Sequence, residues 1–200
     1  MTEPLGALDA MRARGESFLQ DVSREYYSSH AGLKPAAELQ PIYERHREAY
    51  GDESLDLALG LLKESSPGSE EHRSGRLLVE WLLESRVGRE LAPLEEREIA
   101  WEGAAVIPLA DGGAEPYRRA SITIANTRDA RERRALDNAR AALVQSGLAP
   151  MRMERLSREK ELVEKMGIAP TYLDTFDALG VYVELVEDPD ALLMSIMPWK

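Results

Sequence analysis

The run Leu77-Leu78-Val79-Glu80-Trp81-Leu82-Leu83-Glu84, continued by Val87, Leu91 and Leu94, decides the fold class. Leu77, Leu78, Trp81, Leu82 and Leu83 recur at helical spacing and predict a wide apolar face that the later residues extend. Trp81 among leucines reads as a core residue rather than a ligand platform. Pro93 lacks an N–H and crowds the preceding turn, so a kink or split is expected near residues 88–92.

Further helices are expected on both sides of this one. Upstream, Leu8, Met11, Phe18, Val22 and Tyr26 share one stripe. Gly15 interrupts it at a cost of about 1 kcal/mol relative to Ala, and Gly32 is the expected stop. Pro35 suits the first turn of a second helix. That helix turns Leu39, Ile42, Tyr43, His46 and Tyr50 toward a core, with Pro41 limiting how early it becomes regular. A leucine-dense third helix is expected over about residues 54–64, followed by a Ser65–Ser69 loop.

Downstream, Val106-Ile107-Pro108-Leu109, the turn Asp111-Gly112-Gly113 and the stretch from Tyr117 to Ile124 predict a small β-hairpin over residues 104–124. Ile122 and Ile124 are expected to face inward. Helix resumes after Asn126-Thr127, either of which can cap it, with Asp129 in its first turn. Leu136, Ala139 and Leu143 form its stripe, and Gly147 and Pro150 break or kink it. A further helix carries Met153, Leu156, Val163 and Met166 and closes at Gly167. Thr171 to Asp174 resembles a capping box, with Phe176 and Leu179 inside and Gly180 at the end. Asp188-Pro189-Asp190 opens a last helix with Leu192, Leu193, Ile196 and Met197. The expectation is a mainly α, multi-helix bundle with a hairpin insertion. One helical domain covers residues 1–180, and residues 181–200 read as the start of an interrupted domain.

The composition excludes several chemistries. Twenty-five Lys and Arg stand against 36 Asp and Glu, a net charge of −11 that disfavours duplex nucleic acid. With no cysteine, disulfides, Cys-ligated zinc, iron–sulfur clusters and thiol catalysis are excluded. The longest small or apolar run, Gly103 to Ala110, is far short of the ~20 residues that cross a bilayer. The start of the chain carries no secretory leader pattern, so no membrane association and a cytoplasmic location are expected.

Histidine spacing excludes more. His30, His46 and His72 are never closer than 16 positions, whereas a helical zinc hydrolase needs two imidazoles four apart with a Glu between them. A ferritin-like dimetal site needs Glu three residues before His, and Tyr27, Tyr43 and Ser69 stand there instead. His46 reads as a satisfied core or boundary residue and His72 as exposed. Pairs such as Glu70-Glu71 and Glu95-Glu96 are too common among 36 acids to mark a site. No nucleophile-elbow, Walker or dinucleotide glycine motif occurs. No catalytic residue, metal or cofactor is therefore expected.

Charge is unevenly distributed. Residues 118–165 hold 12 Lys and Arg against 7 Asp and Glu, a local +5, and the remainder carries −16. One reading is an interaction module whose basic helices of residues 128–165 dock an acidic partner through Arg131, Arg133 and Arg134. The other is a solvated helix pair laced by Asp129/Arg133, Arg128/Glu132, Glu154/Arg158 and Glu161/Lys165. No aromatic residue interleaves these basic ones, which argues against single-stranded nucleic acid.

The order of segments resembles the N-terminal helical region of the oligoendopeptidase and thimet-oligopeptidase-like zinc metallopeptidases. The stretches that carry this are Gly15-Glu16-Ser17-Phe18 through Glu25-Tyr26-Tyr27, then Gly32-Leu33-Lys34 and Pro41-Ile42-Tyr43-Glu44-Arg45. They continue through Leu77 to Glu84, Gly88-Arg89-Glu90, and the hairpin leading to Pro116-Tyr117-Arg118-Arg119-Ala120. Ala125-Asn126, Arg131 to Leu136 and Pro170-Thr171-Tyr172-Leu173 complete them. In that family zinc is held by His-Glu-x-x-His plus a further Glu, and nothing here matches those positions. The resemblance implies a non-catalytic, truncated or stand-alone helical wall over a peptide cleft, binding a peptide or another chain.

Overall fold

A computed structural model describes residues 3–109 and 112–166. The chain divides into two compact units, Met1–Leu156 and Ser157–Lys200. The readings placed on Gly167, on Thr171 to Gly180, on Asp188 to Met197 and on a limit at residue 180 lie outside the described residues. The architecture is mainly α with one small antiparallel sheet. Helices α1 (Glu3–His30), α2 (Leu39–Arg45), α3 (Asp52–Glu64) and α4 (Glu70–Ala104) come first, with a 3-10 turn, Arg47–Tyr50, after α2. Strands β1 (Val106–Pro108) and β2 (Ala114–Pro116) follow, then α5 (Tyr117–Asn126), α6 (Ala130–Leu143) and α7 (Ala149–Lys165). Among the described residues no helix is long and apolar enough to cross a membrane.

The α1 stripe is continuous because its spacing is. Met11, Gly15 and Phe18 are buried, and Val22 and Tyr26 pack partly buried behind them. Gly15 does not interrupt the helix. A Cβ there would meet the Trp81 indole at 3.0 Å, so the missing side chain lets α1 and α4 approach. Gly32 ends α1 as expected. Its φ of +74° belongs to the left-handed region, and Leu33 N–H reaches back to the Ser28 carbonyl at 2.9 Å. Pro35 corrects the expectation placed on it, because residues 31–38 are an irregular connection and α2 begins only at Leu39. The side chain of Glu38, the residue before α2, does not cap it. Glu96 of α4 does so instead, accepting from Gln40 N–H at 2.8 Å and from its amide Nε2 at 2.6 Å.

The main core is aromatic. Phe18 lies 5.2 Å from Tyr43, 5.4 Å from Tyr50 and 6.4 Å from Trp81, all tilted or edge-on. Leu39, Leu82, Ala58 and Ala92 seal this cluster, each fully buried. Helix α4 runs through Pro93 without a split. The proline ring is exposed, while Leu91 and Ala92 beside it are buried, so one missing hydrogen bond is outweighed by packing on the opposite face.

Burial acts on the tyrosines. It raises the Tyr26 phenol strongly, assisted by the hydrogen bond to Glu95, pushes Tyr43 up to about 12, and raises Tyr50. Folded values above the unfolded value of about 10 mean that this stability is fully present below that pH and is lost as pH rises from there through the folded values. Denaturant midpoints should therefore stay level up to pH of about 10 and then fall steeply. Fewer of the seven tyrosines should absorb as phenolate in the native protein than in urea at the same alkaline pH. Coincident native and unfolded titrations would contradict this burial.

The hairpin is present but shorter than expected. Val106 pairs with Pro116 and Pro108 with Ala114. The stretch from Tyr117 to Ile124 is helical, which corrects the second strand. Pro116 immediately precedes α5, and the Tyr117 N–H donates to the Ala105 carbonyl at 2.9 Å, so the ladder ends where the helix begins. In a helix, residues two apart no longer share a face. Ile124 packs against Ile107, Ala120 and Leu136, while Ile122 is 64% exposed. Asn126 and Thr127 do not cap α6. Their side chains bond back to the Ile122 and Thr123 carbonyls at 2.9 and 2.7 Å, closing α5. Asp129 is the cap, accepting from Arg131 N–H at 2.8 Å and Glu132 N–H at 2.9 Å.

Gly147 and Pro150 likewise do not end the helix. The path from α6 to α7 passes through a π-helical segment, Val144–Leu148. A Cβ on Gly147 would stand 2.5 Å from Cζ2 and 2.7 Å from Nε1 of Trp101, so the glycine makes room for that indole. Trp101 in turn meets Tyr117 edge-on at 5.3 Å, and Arg140 lies 5.4 Å from the Tyr117 ring centre.

Candidate functional site

Two surfaces concentrate charge in the first unit. The first is the α5–α6 corner singled out by composition. Arg131, Arg133 and Arg134 are all exposed. At 100° per residue, Arg131 and Arg134 share the side of α6 opposite the buried Leu136, and Arg133 lies on its flank. The structure thus brings two of the three together.

The lacing expected from spacing does not form. Asp129 is occupied as the α6 cap, Glu154 pairs with Arg97, and Glu161 pairs with Arg158 at 3.0 Å. Arg133 donates to the Thr127 carbonyl at 3.2 Å. Among the described residues no carboxylate pairs with Arg131, Arg133 or Arg134. The cations that do pair are those on α7: Arg152 with Glu102 at 3.1 Å, and Arg155 with the buried Glu98 at 2.9 Å. Arg118, also counted in the basic region, is structural. Its guanidinium donates to the Ser29 carbonyl at 2.5 Å and the Ile99 carbonyl at 2.9 Å, tying α5 to α1 and α4.

The second surface was not anticipated. An open cleft of about 280 Å³ lies between α1 and the segment leading through α2. At one end Asp21 gathers three donors: His46 Nε2 at 2.9 Å, Arg45 at 3.1 Å and Arg24 at 3.3 Å. The His46 hydrogen bond holds the Asp21 carboxyl below its usual range against the opposing effect of burial, with smaller help from the charges nearby. At the other end Lys34 bridges Glu25 and Glu38, at 2.8 Å to each, and Glu25 also accepts from the Glu38 N–H at 2.7 Å. These bonds raise the Lys34 ammonium and lower the Glu38 carboxyl. The signal in the sequence was the spacing Asp21, Arg24, Glu25 on one helix against Glu38, Pro41, Ile42, Arg45 on the next, at steps of three and four.

The histidines are used locally. His46 is the half-buried partner of Asp21 and lies 5.8 Å from the Phe18 ring, as a boundary residue should. His72 corrects its expected exposure. It is half-buried, with its backbone N–H on the Ser69 cap and Nδ1 3.1 Å from the Ser65 hydroxyl. His30 Nδ1 donates to the Tyr26 carbonyl at 2.8 Å. Among the described residues no group of three or more His, Asp or Glu is arranged to hold a metal ion. Glu95 and Glu96, indistinguishable from other paired acids in sequence, have separate tasks. Glu95 accepts from the Tyr26 hydroxyl at 2.5 Å, and Glu96 caps α2. No family model, curated protein or solved structure matches the chain.

Proposed function

We propose that this protein binds rather than catalyses, as a helical module that docks an acidic partner chain through the arginines of α6. One observation carries this: Arg131 and Arg134 share an exposed helix side with no carboxylate partner among the described residues. Guanidinium forks recognise carboxylates bidentately, and a local positive face on an otherwise acidic protein orients an acidic partner. The setting proposed is cytoplasmic.

Fluorescence anisotropy with a labelled oligo-glutamate peptide at low salt tests the reading. Reversing Arg131, Arg133 and Arg134 to Glu should weaken binding by about tenfold or more. The pair R131E/R134E, which leaves the Arg133–Thr127 bond intact, should reproduce most of the loss. The fold should be unaffected, since all three side chains are exposed. Unchanged anisotropy in the triple variant would rule the face out.

A second reading, the non-catalytic wall of an oligopeptidase-like cleft, is supported by where the resembling stretches lie. Apart from Gly32-Leu33-Lys34, in the connection after α1, and Pro170 to Leu173, outside the described residues, they fall on α1, α2, α4, the junction of β2 with α5, the end of α5, and α6. Its partner would be an extended peptide or a separate catalytic chain. Zinc-dependent cleavage of a quenched peptide by the pure protein, abolished by a chelator, would overturn the non-catalytic part of both readings.

A further inference from the structure

The α1–α2 cleft has an unequal distribution of charge that suits a particular ligand. At the Asp21 end two guanidiniums face one carboxylate, leaving a net positive charge even with His46 neutral. Arg24 and Arg45 are 73% and 63% exposed, and each makes one hydrogen bond, to Asp21, out of five N–H donors. At the other end two carboxylates share one ammonium, leaving a net negative charge. Both Glu25 oxygens are occupied by Lys34, whereas Glu38 engages Lys34 through Oε2 alone. Between the two ends lie Pro41, exposed, and Ile42, almost wholly buried.

The distance between the ends follows from helix geometry. Asp21 and Glu25 are one turn apart, about 6 Å along α1, and Glu38 and Arg45 about 10 Å apart along the facing segment. An extended peptide of two or three residues spans about 7–10 Å between its ammonium and its carboxylate. We propose that this cleft binds a short zwitterionic peptide. Its carboxylate lies on Arg24 and Arg45, its ammonium on Glu38, and an apolar side chain against Pro41 and Ile42. Neither charge alone accounts for the arrangement, because a simple anion would meet Glu38 and a simple cation would meet the guanidiniums. The reading is independent of the α6 arginines, which line no part of the cleft.

Calorimetric titration of the intact chain at low ionic strength with Gly-Leu, N-acetyl-Gly-Leu and Gly-Leu-amide tests it. Gly-Leu should bind in the millimolar range, and capping either end should weaken binding about tenfold. Arg24→Gln with Arg45→Gln should make Gly-Leu bind no better than its amide. Glu38→Gln should remove the advantage of Gly-Leu over its acetylated form. Arg24→Gln alone, at an exposed position with a single contact, serves as the variant that keeps its fold if the double one does not. Equal binding of all three peptides, or no heat with any, overturns the proposal.

Discussion

Replacing Phe18 with alanine should lower the unfolding free energy by about 3–5 kcal/mol. The ring is 3% exposed and forms the centre of the core cluster, with Tyr43, Tyr50, Trp81 and His46 all within 6.4 Å. Truncation removes the buried ring and leaves a cavity that its neighbours cannot close. Tyr50 is held by its hydroxyl on the Tyr43 carbonyl at 2.5 Å, and Trp81 is seated against Gly15. The loss is large against a typical domain stability of about 5–15 kcal/mol. Because His46 packs on the same ring, the Asp21 end of the cleft should loosen as well. Urea denaturation measures the first effect, and the histidine NMR signals report the second. A loss under about 1 kcal/mol would mean that the four rings do not depend on Phe18 for their packing.

Gly88→Ala should destabilise although alanine is the better helix former. In an exposed helix interior the exchange gains about 1 kcal/mol. Here an added Cβ would overlap the Tyr43 hydroxyl oxygen and stand 3.2 Å from Cζ. Tyr43 is buried and locked edge-on against both Phe18 and Tyr50, so its ring has nowhere to withdraw. Overpacking of this kind costs about 1–3 kcal/mol, so the net change is a loss. The decisive measurement is the double variant. In a Tyr43→Phe background the overlapping oxygen is gone, and Gly88→Ala should become neutral or gain up to about 1 kcal/mol. Identical effects of Gly88→Ala in both backgrounds would show that the two side chains do not meet.

Gly88 illustrates which features of the fold were legible. Its position inside an apolar helical run was readable, but its reason was not, because the atom that excludes a side chain comes from Tyr43, 45 positions earlier. Gly147 is the same case with Trp101 as the distant partner. Propensity reads it as a break or kink, yet the chain continues through a π-helical segment and the indole fills the space a Cβ would take. The helical stripes of α1 and α4 were legible because burial follows a 3.6-residue period that the sequence carries by itself. Tyr117 to Ile124 shows the limit. Alternating polar and β-branched residues favour a strand, but eight residues fit either period, and packing of Ala120 and Ile124 on Ile107 and Leu136 decided for helix.

The candidate sites divide along the same line. The excess of positive charge over residues 118–165 is a count, and counting found it. Which arginines stay without a partner could not be counted, since it depends on where each acid goes. Asp129 is taken by the helix cap, Glu154 by Arg97, and Glu98 by Arg155 across 57 positions. The cleft between α1 and α2 is harder still. Its two charged ends exist only because a connection of eight residues folds Lys34 and Glu38 back onto Glu25.

By itself the sequence determined the helical class, the place of the hairpin turn, the exclusion of cysteine chemistry and the lack of any histidine pair at zinc spacing. These are properties of composition and local period, which every residue states without reference to distant ones. Only the tertiary structure decided the burial of the tyrosines, the demand for glycine at positions 15, 88 and 147, and which charges remain available to a ligand. Each of those depends on atoms brought within a few ångströms by packing from positions far apart in the chain.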